Sequence, residues 1–188
     1  MTKKLMVLVV AMVFVFGCLS VGLCYVAAPK NAKKQTTLKL YTDAKGAYKM
    51  VQDKKGILVD VRTPQELQFV GNTGIAKNIP WEVWSNKWDD KKSKFKKPKN
   101  PNFVKEIKAL YKPDQTILLM CRSGHRSASA VNALAKDGYK KVYTVIDGFE
   151  GDKAKEGPNK GQRVVNGWKN AKLPWTYKMK KDQAFMPK

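Results

Sequence analysis

The chain has 188 residues, which is enough for one ordinary domain and a leader but short for two domains. Lysine and arginine together number 37 against 15 acidic residues, so the formal net charge is +22 and the surface should attract anions. Only four of the basic residues are arginine, the side chain that usually reads phosphate and guanine. The composition therefore disfavours nucleic acid as a partner and favours a small anionic substrate or an anionic surface.

The N-terminal 28 residues differ in composition from everything that follows. Lys3 and Lys4 precede an almost unbroken apolar run from Leu5 to Ala28, which is typical of an export signal. The run approaches the roughly 20 residues that span a bilayer. Residues 1–28 are therefore interpreted as a signal peptide or a membrane anchor, with lipidation of Cys18 as a third alternative. We expect a periplasmic or otherwise exported protein, attached to the membrane through residues 5–28 where the run is retained.

Two of the three cysteines, Cys18 and Cys24, lie inside the apolar run, which leaves Cys121 as the only thiol of the remaining chain. An internal disulfide is therefore excluded there. A lone cysteine in an exported protein indicates a reactive thiol or an intermolecular pairing, and the alternative is a buried small hydrophobe. The residues around Cys121 decide between these interpretations.

Beyond the leader, short apolar runs alternate with amphipathic segments, a pattern typical of an α/β domain. We assign residues 29–37 to a lysine-rich linker, 38–178 to the domain and 179–188 to a basic tail. In chain order the pattern predicts a helix at Thr42–Gln52, a strand at Ile57–Val61, a helix opened by the capping box Thr63–Glu66, a strand at Ile75–Ile79, a helix at Asn100–Leu110, a strand at Thr116–Met120, a helix ending near Asp137 and a strand at Val142–Ile146.

Irregular sequence interrupts this alternation between Trp81 and Pro101. The interval contains three tryptophans and seven lysines. We interpret it as a surface excursion whose tryptophans anchor it on the domain, because no acidic or base-stacking context surrounds them that would indicate a ligand platform.

The most informative stretch is Cys-Arg-Ser-Gly-His-Arg-Ser at Cys121–Ser127, between a predicted buried strand and a predicted helix. Ligands of α/β sheets bind at such loops, beyond the carboxyl ends of the strands. The helix N-terminus, a ring of unpaired backbone N–H groups and two arginines all favour the thiolate form of Cys121. Small side chains at Ser123 and Gly124 let the backbone curl around an anion. Cys121 is therefore predicted to be a nucleophile in an anion-binding loop.

This loop closely resembles the active-site loop of the rhodanese sulfurtransferases. The resemblance implies a single rhodanese-like α/β domain with a central, mainly parallel sheet flanked by helices, and it extends from Leu38 to Trp175. The segments 72–76, 81–101 and 150–166 depart from the family pattern and leave the partner and the substrate open. Further matches to family motifs are Leu58–Leu67, Asn78-Ile79-Pro80, Asp147-Gly148, Trp168 and Leu173-Pro174.

The resemblance implies a sulfurtransferase that needs no metal or organic cofactor. Cys121 would take the outer sulfur of a small anionic donor such as thiosulfate, release sulfite and pass the persulfide sulfur to cyanide or a thiol. The side chains of Arg122 and His125 are expected to present charge at the mouth, while Arg126 could instead point inward and fix the loop. The residues implied to bind the donor and the persulfide are Arg122, Ser123, Gly124, His125, Arg126 and Ser127.

Two residues near the neighbouring predicted strand, Asp60 and Arg62, are predicted to be structural ion-pair partners rather than catalysts. The single histidine, His125, is not expected to bind a metal because no second histidine or cysteine lies near it in the sequence.

Two other functions stay open at this point. A cysteine phosphatase uses a similar loop, but its Cys-x5-Arg pattern is longer than the four residues that separate Cys121 from Arg126. The other alternative is a non-catalytic module that carries a persulfide or binds a sulfur compound. An intact Cys121 argues against an inert module but not against a carrier.

Overall fold

The computed structural model describes residues 25–186, so the apolar run up to residue 24, with its predicted signal or anchor, lies outside the described residues. A five-stranded, entirely parallel sheet forms the centre, in the order β1-β7-β6-β2-β3. The predicted α/β class and parallel sheet are thereby confirmed. The strands are β1 (Tyr41–Thr42), β2 (Ile57–Asp60), β3 (Lys77–Asn78), β6 (Ile117–Met120) and β7 (Val142–Val145), and a separate antiparallel pair consists of β4 (Trp88–Asp89) and β5 (Lys94–Phe95).

The sheet is buried on both faces, because successive side chains of a strand point to opposite sides. In β6, Ile117 and Leu119 contribute to the core cluster that also contains Ile107 and Val131. The alternate residues Leu118 and Met120 contribute to a second cluster on the other face. Each face is covered by helices, which gives the three-layer arrangement of a doubly wound fold.

The helices begin where the capping residues predict. α1 (Ala44–Gln52) is capped by the Asp43 carboxylate, and α2 (Pro64–Val70) by the complete Thr63–Glu66 capping box with Pro64 at its first position. α3 spans Phe103–Leu110 and α4 spans His125–Lys136. α3 therefore starts later than the predicted Asn100, since Asn102 is its N-cap.

The strand predicted at Ile75–Ile79 is shorter in the structure, where only Lys77 and Asn78 pair with β2. The preceding residues form side-chain-stabilised turns instead. The Asn72 Oδ1 atom accepts from the Gly74 N–H, and the Thr73 Oγ1 atom accepts from the N–H groups of Ile75 and Ala76. Such local bonds compete with the sheet ladder and end it.

Residues 29–37, which the sequence assigns to a linker, contact the domain through the buried residues Lys34 and Thr36. Lys34 is only 6% exposed, and its Nζ atom donates to the Asp152 carboxylate and to the Ile146 carbonyl oxygen. The predicted tail is also packed, because the Asn78 N–H donates to the Gln183 carbonyl and Gln183 Nε2 donates to Gly74. Across residues 25–186, no helix is both long enough and apolar enough to cross a membrane.

Candidate active site

The loop Cys121–Ser127 joins β6 to α4 at the carboxyl edge of the sheet, which is the position predicted from the sequence. Cys121 follows the buried end of β6 and is itself 1% exposed. The Gly124 N–H donates to the Cys121 Sγ atom at 3.1 Å. This contact holds the sulfur beside the N-terminus of α4.

Three consecutive residues after β7 fix the orientation of the first two peptide planes of the loop. Phe149 donates its N–H to the Cys121 carbonyl oxygen at 2.8 Å, and the N–H groups of Glu150 and Gly151 both donate to the Arg122 carbonyl oxygen. In a trans peptide the N–H points opposite to the C=O. The N–H groups of Arg122 and Ser123 are therefore directed away from residues 149–151.

The remaining loop amides are also free to bind a ligand. Within the described chain, the backbone N–H groups of Arg122, Ser123, His125, Arg126 and Ser127 donate to no protein acceptor. The last three belong to the first turn of α4, whose N–H groups have no intrahelical partners. Together with the Gly124 N–H, which contacts the Cys121 sulfur, these unpaired amides form a set of the kind that binds anions in other proteins. We call this set of N–H groups the cradle.

Two glycines let the backbone segments meet here. Gly124 has φ +91°, and a Cβ atom on it would lie 2.2 Å from the Ile146 carbonyl oxygen. Gly148 has φ +65°, and a Cβ atom there would lie 2.4 Å from the Cys121 carbonyl oxygen and 2.7 Å from the Ser123 nitrogen. Both sites combine a left-handed conformation with contact between main chains, which only glycine allows.

Asp147, which lies between Ile146 and Gly148, connects the backbone around the loop to two other segments of the domain. Its carboxylate accepts from the N–H of Ala44 at the start of α1 and from the N–H of Gly167. Burial raises the pKa of Asp147 to about 6, although the hydrogen bonds from Gly167 and Ala44 act in the opposite direction.

The side chain of Arg126 pairs with Glu66 on α2. Its two terminal nitrogens donate to the two carboxylate oxygens at 2.7 and 2.6 Å, a bidentate geometry. Burial opposes ionisation of Glu66, but the hydrogen bonds and charge of Arg126 outweigh it and lower the Glu66 pKa to about 2. The side chain of Arg126 is therefore a structural brace, and only its backbone N–H belongs to the cradle.

Lys97 and Glu82 extend this ion pair into a network. The Lys97 Nζ atom lies 3.9 Å from carboxylate oxygens of both Glu66 and Glu82, and Glu82 lies 3.8 Å from Arg126. Burial lowers the pKa of Lys97, with the charge of Glu66 acting against that shift. The network connects the loop to the lysine-rich excursion.

Two further arginines supply positive charge at the loop without forming an ion pair among residues 25–186. Arg122 is exposed, and no carboxylate within residues 25–186 pairs with it. Arg163 donates to the Gly151 carbonyl oxygen, next to the bond between Gly151 and Arg122. Burial and then the charge of Arg122 lower the pKa of Arg163, which places the two guanidinium groups near each other.

His125 lies next to the segment that precedes β1. The Asn31 Nδ2 atom and the His125 Nε2 atom are 3.2 Å apart, within hydrogen-bond distance. Burial, followed by the charge of Lys34, lowers the pKa of His125. Both effects disfavour the charged form of the imidazole.

The serines of the loop are both buried. The Ser127 Oγ atom donates to the Gly124 carbonyl oxygen and shares a hydrogen bond with Thr144, so its hydroxyl braces α4 against β7. Ser123 is 6% exposed. Because its hydroxyl is engaged, Ser127 offers a ligand its backbone N–H.

Asp60 and Arg62 form a buried ion pair beneath this region, with Nη2 2.6 Å from a carboxylate oxygen. Arg62 also donates to the Gly71 carbonyl, and its guanidinium lies 4.0 Å from the centre of the Phe149 ring. The pair thus supports Phe149, which in turn holds the Cys121 carbonyl. Among the described residues, no cluster of histidine, cysteine or acidic side chains could hold a metal ion.

Comparison with known proteins agrees with this geometry, since the model of the rhodanese-like domain matches residues 43–155. The chain belongs to the rhodanese-like family. An uncharacterized protein of Rickettsia prowazekii is 36% identical over 132 residues, covering 70% of this chain and 92% of that protein. The thiosulfate sulfurtransferase GlpE of Vibrio cholerae is 30% identical over 111 residues, covering 59% of this chain and 85% of that protein.

A solved structure shows the same rhodanese-like fold. The crystal structure of a protein from M. tuberculosis aligns with a TM-score of 0.57 at 28% identity, covering 72% of this chain and 96% of that chain. Family membership and the sulfurtransferases among the relatives support sulfurtransferase activity at the level of the family.

Sequence reasoning missed several residues around this rhodanese-like site. Glu66 was recognised as a helix cap, but its second carboxylate oxygen, free to bind Arg126, was not used. Arg163 and Lys34 lie in segments that were assigned to a loop and a linker, far from Cys121 in the chain. The one signal for Arg163 is that it is the sole arginine after the active-site loop.

We predict that Gly148→Ala abolishes most sulfur transfer while Gly138→Ala, its matched control, leaves it intact. Both glycines have positive φ, so each alanine should cost about 1–2 kcal/mol of backbone strain. A Cβ atom on Gly138 meets nothing within 4 Å, whereas one on Gly148 displaces the main chain of Cys121. Misplacement on the scale of 1 Å should lower kcat/KM about tenfold or more. Equal activity of the two variants would contradict this.

We predict that the Glu66–Arg126 pair stabilises the fold by about 3 kcal/mol at pH 6, because the Glu66 pKa falls from 4.5 to about 2. A lowered carboxylate pKa gives stability that is complete above about pH 4.5 and lost as the pH falls toward 2. The free energy of unfolding of Glu66→Gln should therefore approach that of the wild type as the pH falls from 6 to 3. The free energy of unfolding of the exposed control Glu156→Gln should differ little from that of the wild type at any pH in this range. If Glu66→Gln is less stable than the wild type by the same amount from pH 6 to 3, the pair does not stabilise the fold in this way.

Proposed function

We propose that the protein is a sulfurtransferase that moves sulfane sulfur from thiosulfate or a similar anionic donor to a thiophilic acceptor through a persulfide on Cys121. The observation that supports the proposal is the cradle: the Gly124 N–H contacts the Cys121 sulfur at 3.1 Å, and five neighbouring backbone N–H groups of the loop have no protein acceptor among the described residues. These donors are fixed before any ligand binds, and preorganised donors stabilise charge without reorganisation during reaction.

In the first half-reaction the Cys121 thiolate attacks the outer sulfur of thiosulfate. A bond forms between the two sulfur atoms while the S–S bond of thiosulfate breaks, and sulfite leaves with the bonding electron pair. In the second half-reaction cyanide or a thiolate attacks the outer sulfur of the persulfide. The acceptor gains that sulfur and the Cys121 thiolate is regenerated, so no external oxidant or reductant is consumed.

The residues of the loop divide into two roles under this proposal. The N–H groups of the cradle stabilise the anionic donor and the persulfide, and Arg122 with Arg163 attracts anions to the mouth. Arg126 positions the loop through Glu66, while Ser127 positions it through Thr144.

A phosphatase fits this site less well. The pattern Cys-x5-Arg of cysteine phosphatases is one residue longer than the spacing here, and the side chain of Arg126 is already engaged with Glu66. An arginine in a bidentate ion pair is not available to hold a phosphoryl group. A persulfide carrier that exchanges sulfur only with a partner protein uses the same cradle, and it differs from the enzyme in turnover.

We predict that incubation with thiosulfate adds the mass of one sulfur atom to the protein, removable by a reductant, and that Cys121→Ser gains none. Cyanide should discharge the adduct and yield thiocyanate over many turnovers. The measurement is intact mass before and after reductant, together with a thiocyanate assay and an aryl phosphate assay. A reducible sulfur on Cys121→Ser, or aryl phosphate hydrolysis that depends on Cys121 without thiocyanate formation, would overturn the proposal. A single discharge without turnover would favour the carrier.

We predict that Arg122→Gln lowers kcat/KM for thiosulfate about fivefold at low ionic strength, mainly through KM, because a nearby unpaired cation is worth about 1 kcal/mol in water. Salt should erase the difference, since the Debye length shortens from about 10 Å at 0.1 M to about 3 Å at 1 M. Lys141→Gln, an exposed residue at the opposite end of the sheet, removes the same charge and should have little effect. Equal losses in both variants would mean that only the overall charge matters.

A further inference from the structure

The excursion between β3 and α3 is a twisted antiparallel ribbon that sulfur transfer does not explain. Trp88 pairs with Phe95 and Asp89 with Lys94, and a 3-10 turn at Asp90–Lys92 closes the tip. Below the tip, the N–H of Lys96 donates to Lys87 and the N–H of Val83 donates to Pro98. We call residues 82–99 the ribbon.

Three large aromatic side chains of the ribbon contact one another and remain exposed to solvent. Trp84, Trp88 and Phe95 are between 42% and 48% exposed. The Phe95 ring lies 5.7 Å from Trp84 and 5.3 Å from Trp88, measured between centroids. By contrast, Trp81 at the base packs edge-on against Phe103 of the core. The expected anchoring role therefore applies to Trp81 and not to the two tryptophans above it.

Lysines surround this aromatic group. The ribbon contains seven lysines against three acidic residues and no arginine. Six of those lysines are exposed, namely Lys87, Lys91, Lys92, Lys94, Lys96 and Lys99. The surface thus combines an exposed aromatic patch with mobile positive charge around it.

This chemistry selects among the possible partners. Protein interfaces are depleted in lysine and enriched in arginine, and sequence-reading contacts to nucleic acid also rely on arginine forks. Tryptophan and lysine together are typical of the headgroup region of a bilayer, where the indole ring lies at the interface and the ammonium group meets anionic lipid. We propose that the ribbon is a docking surface for an anionic lipid bilayer, independent of residues 1–28.

Docking through the ribbon would bring the active site to the membrane. Lys97 at the base of the ribbon contacts Glu66 and Glu82, and both carboxylates contact Arg126 of the active-site loop. The surface that meets lipid is therefore joined to the loop by a continuous set of ion pairs. This part of the proposal does not depend on which sulfur donor the enzyme uses.

The test uses the full chain with vesicles of phosphatidylcholine alone or mixed with phosphatidylglycerol, both carrying lipids brominated near the headgroup. Bromine quenches tryptophan fluorescence at short range, and any contribution from residues 1–28 is present in both kinds of vesicle. We expect stronger quenching in the phosphatidylglycerol vesicles. The excess should fall to the phosphatidylcholine level in 1 M salt, because the Debye length is then only about 3 Å.

Two triple lysine variants distinguish a specific contact of the ribbon from an effect of the overall charge of the protein. Lys91→Gln, Lys92→Gln and Lys94→Gln together should remove most of the excess quenching, since three lysines near an anionic surface account for an affinity factor on the order of 100. The control Lys136→Gln, Lys140→Gln and Lys141→Gln removes the same charge at the far end of the sheet and should retain it. Thiosulfate turnover and the far-ultraviolet circular dichroism spectrum verify that both variants are folded.

The remaining outcomes contradict the proposal. Equal quenching in the two kinds of vesicle, or equal loss in the two triples, would show that the ribbon has no specific contact with lipid. The surface would instead be assigned to nucleic acid by two results together. The wild type would bind single-stranded RNA and the ribbon triple would not, and quenching would be no stronger in the phosphatidylglycerol vesicles than in phosphatidylcholine alone.

Discussion

The orientation of two peptide planes, those that follow Cys121 and Arg122, governs the rest of the site. A buried N–H group without an acceptor costs about 1–3 kcal/mol, so a loop that leaves several amides unpaired does not hold its shape alone. Here the carbonyl oxygens of Cys121 and Arg122 accept from the N–H groups of residues 149–151, so the N–H groups of Arg122 and Ser123 point the other way. Gly148 and the buried Asp60–Arg62 pair beneath Phe149 stabilise this position of the loop.

The arginines at the loop have two different roles. Arg126 is neutralised by Glu66, so it contributes rigidity and almost no field. Arg122 and Arg163 have no carboxylate partner among the described residues, and they set the potential that an incoming anion meets. The residue that braces the loop is therefore not one of those that set the potential at its mouth.

Most of the sheet and the position of the Cys121 loop were predictable because their signals are local. The continuous apolar run of β6, the capping box before α2 and the Cys121–Ser127 loop can each be recognised within a few residues of sequence. The packing of Lys34 was not predictable, since its partner Asp152 is 118 residues away and a lysine-rich segment normally indicates a solvated linker. The shortness of β3 was not predictable for a different reason, because turns made by the Asn72 and Thr73 side chains override the apolar pattern.

The packing of residues 25–37 limits how far the domain could lie from any attachment point upstream of it. Tyr25 donates to the Lys39 carbonyl, Val26 donates to Tyr41, and Lys34 is locked to Asp152. A flexible spacer of the nine residues 29–37 would have a reach of roughly 15–18 Å. Because these residues are packed on the domain, they add no length to a tether. Any tether upstream of residue 25 would hold the active site in a thin layer above its attachment point, where an acceptor is found by search in two dimensions rather than three.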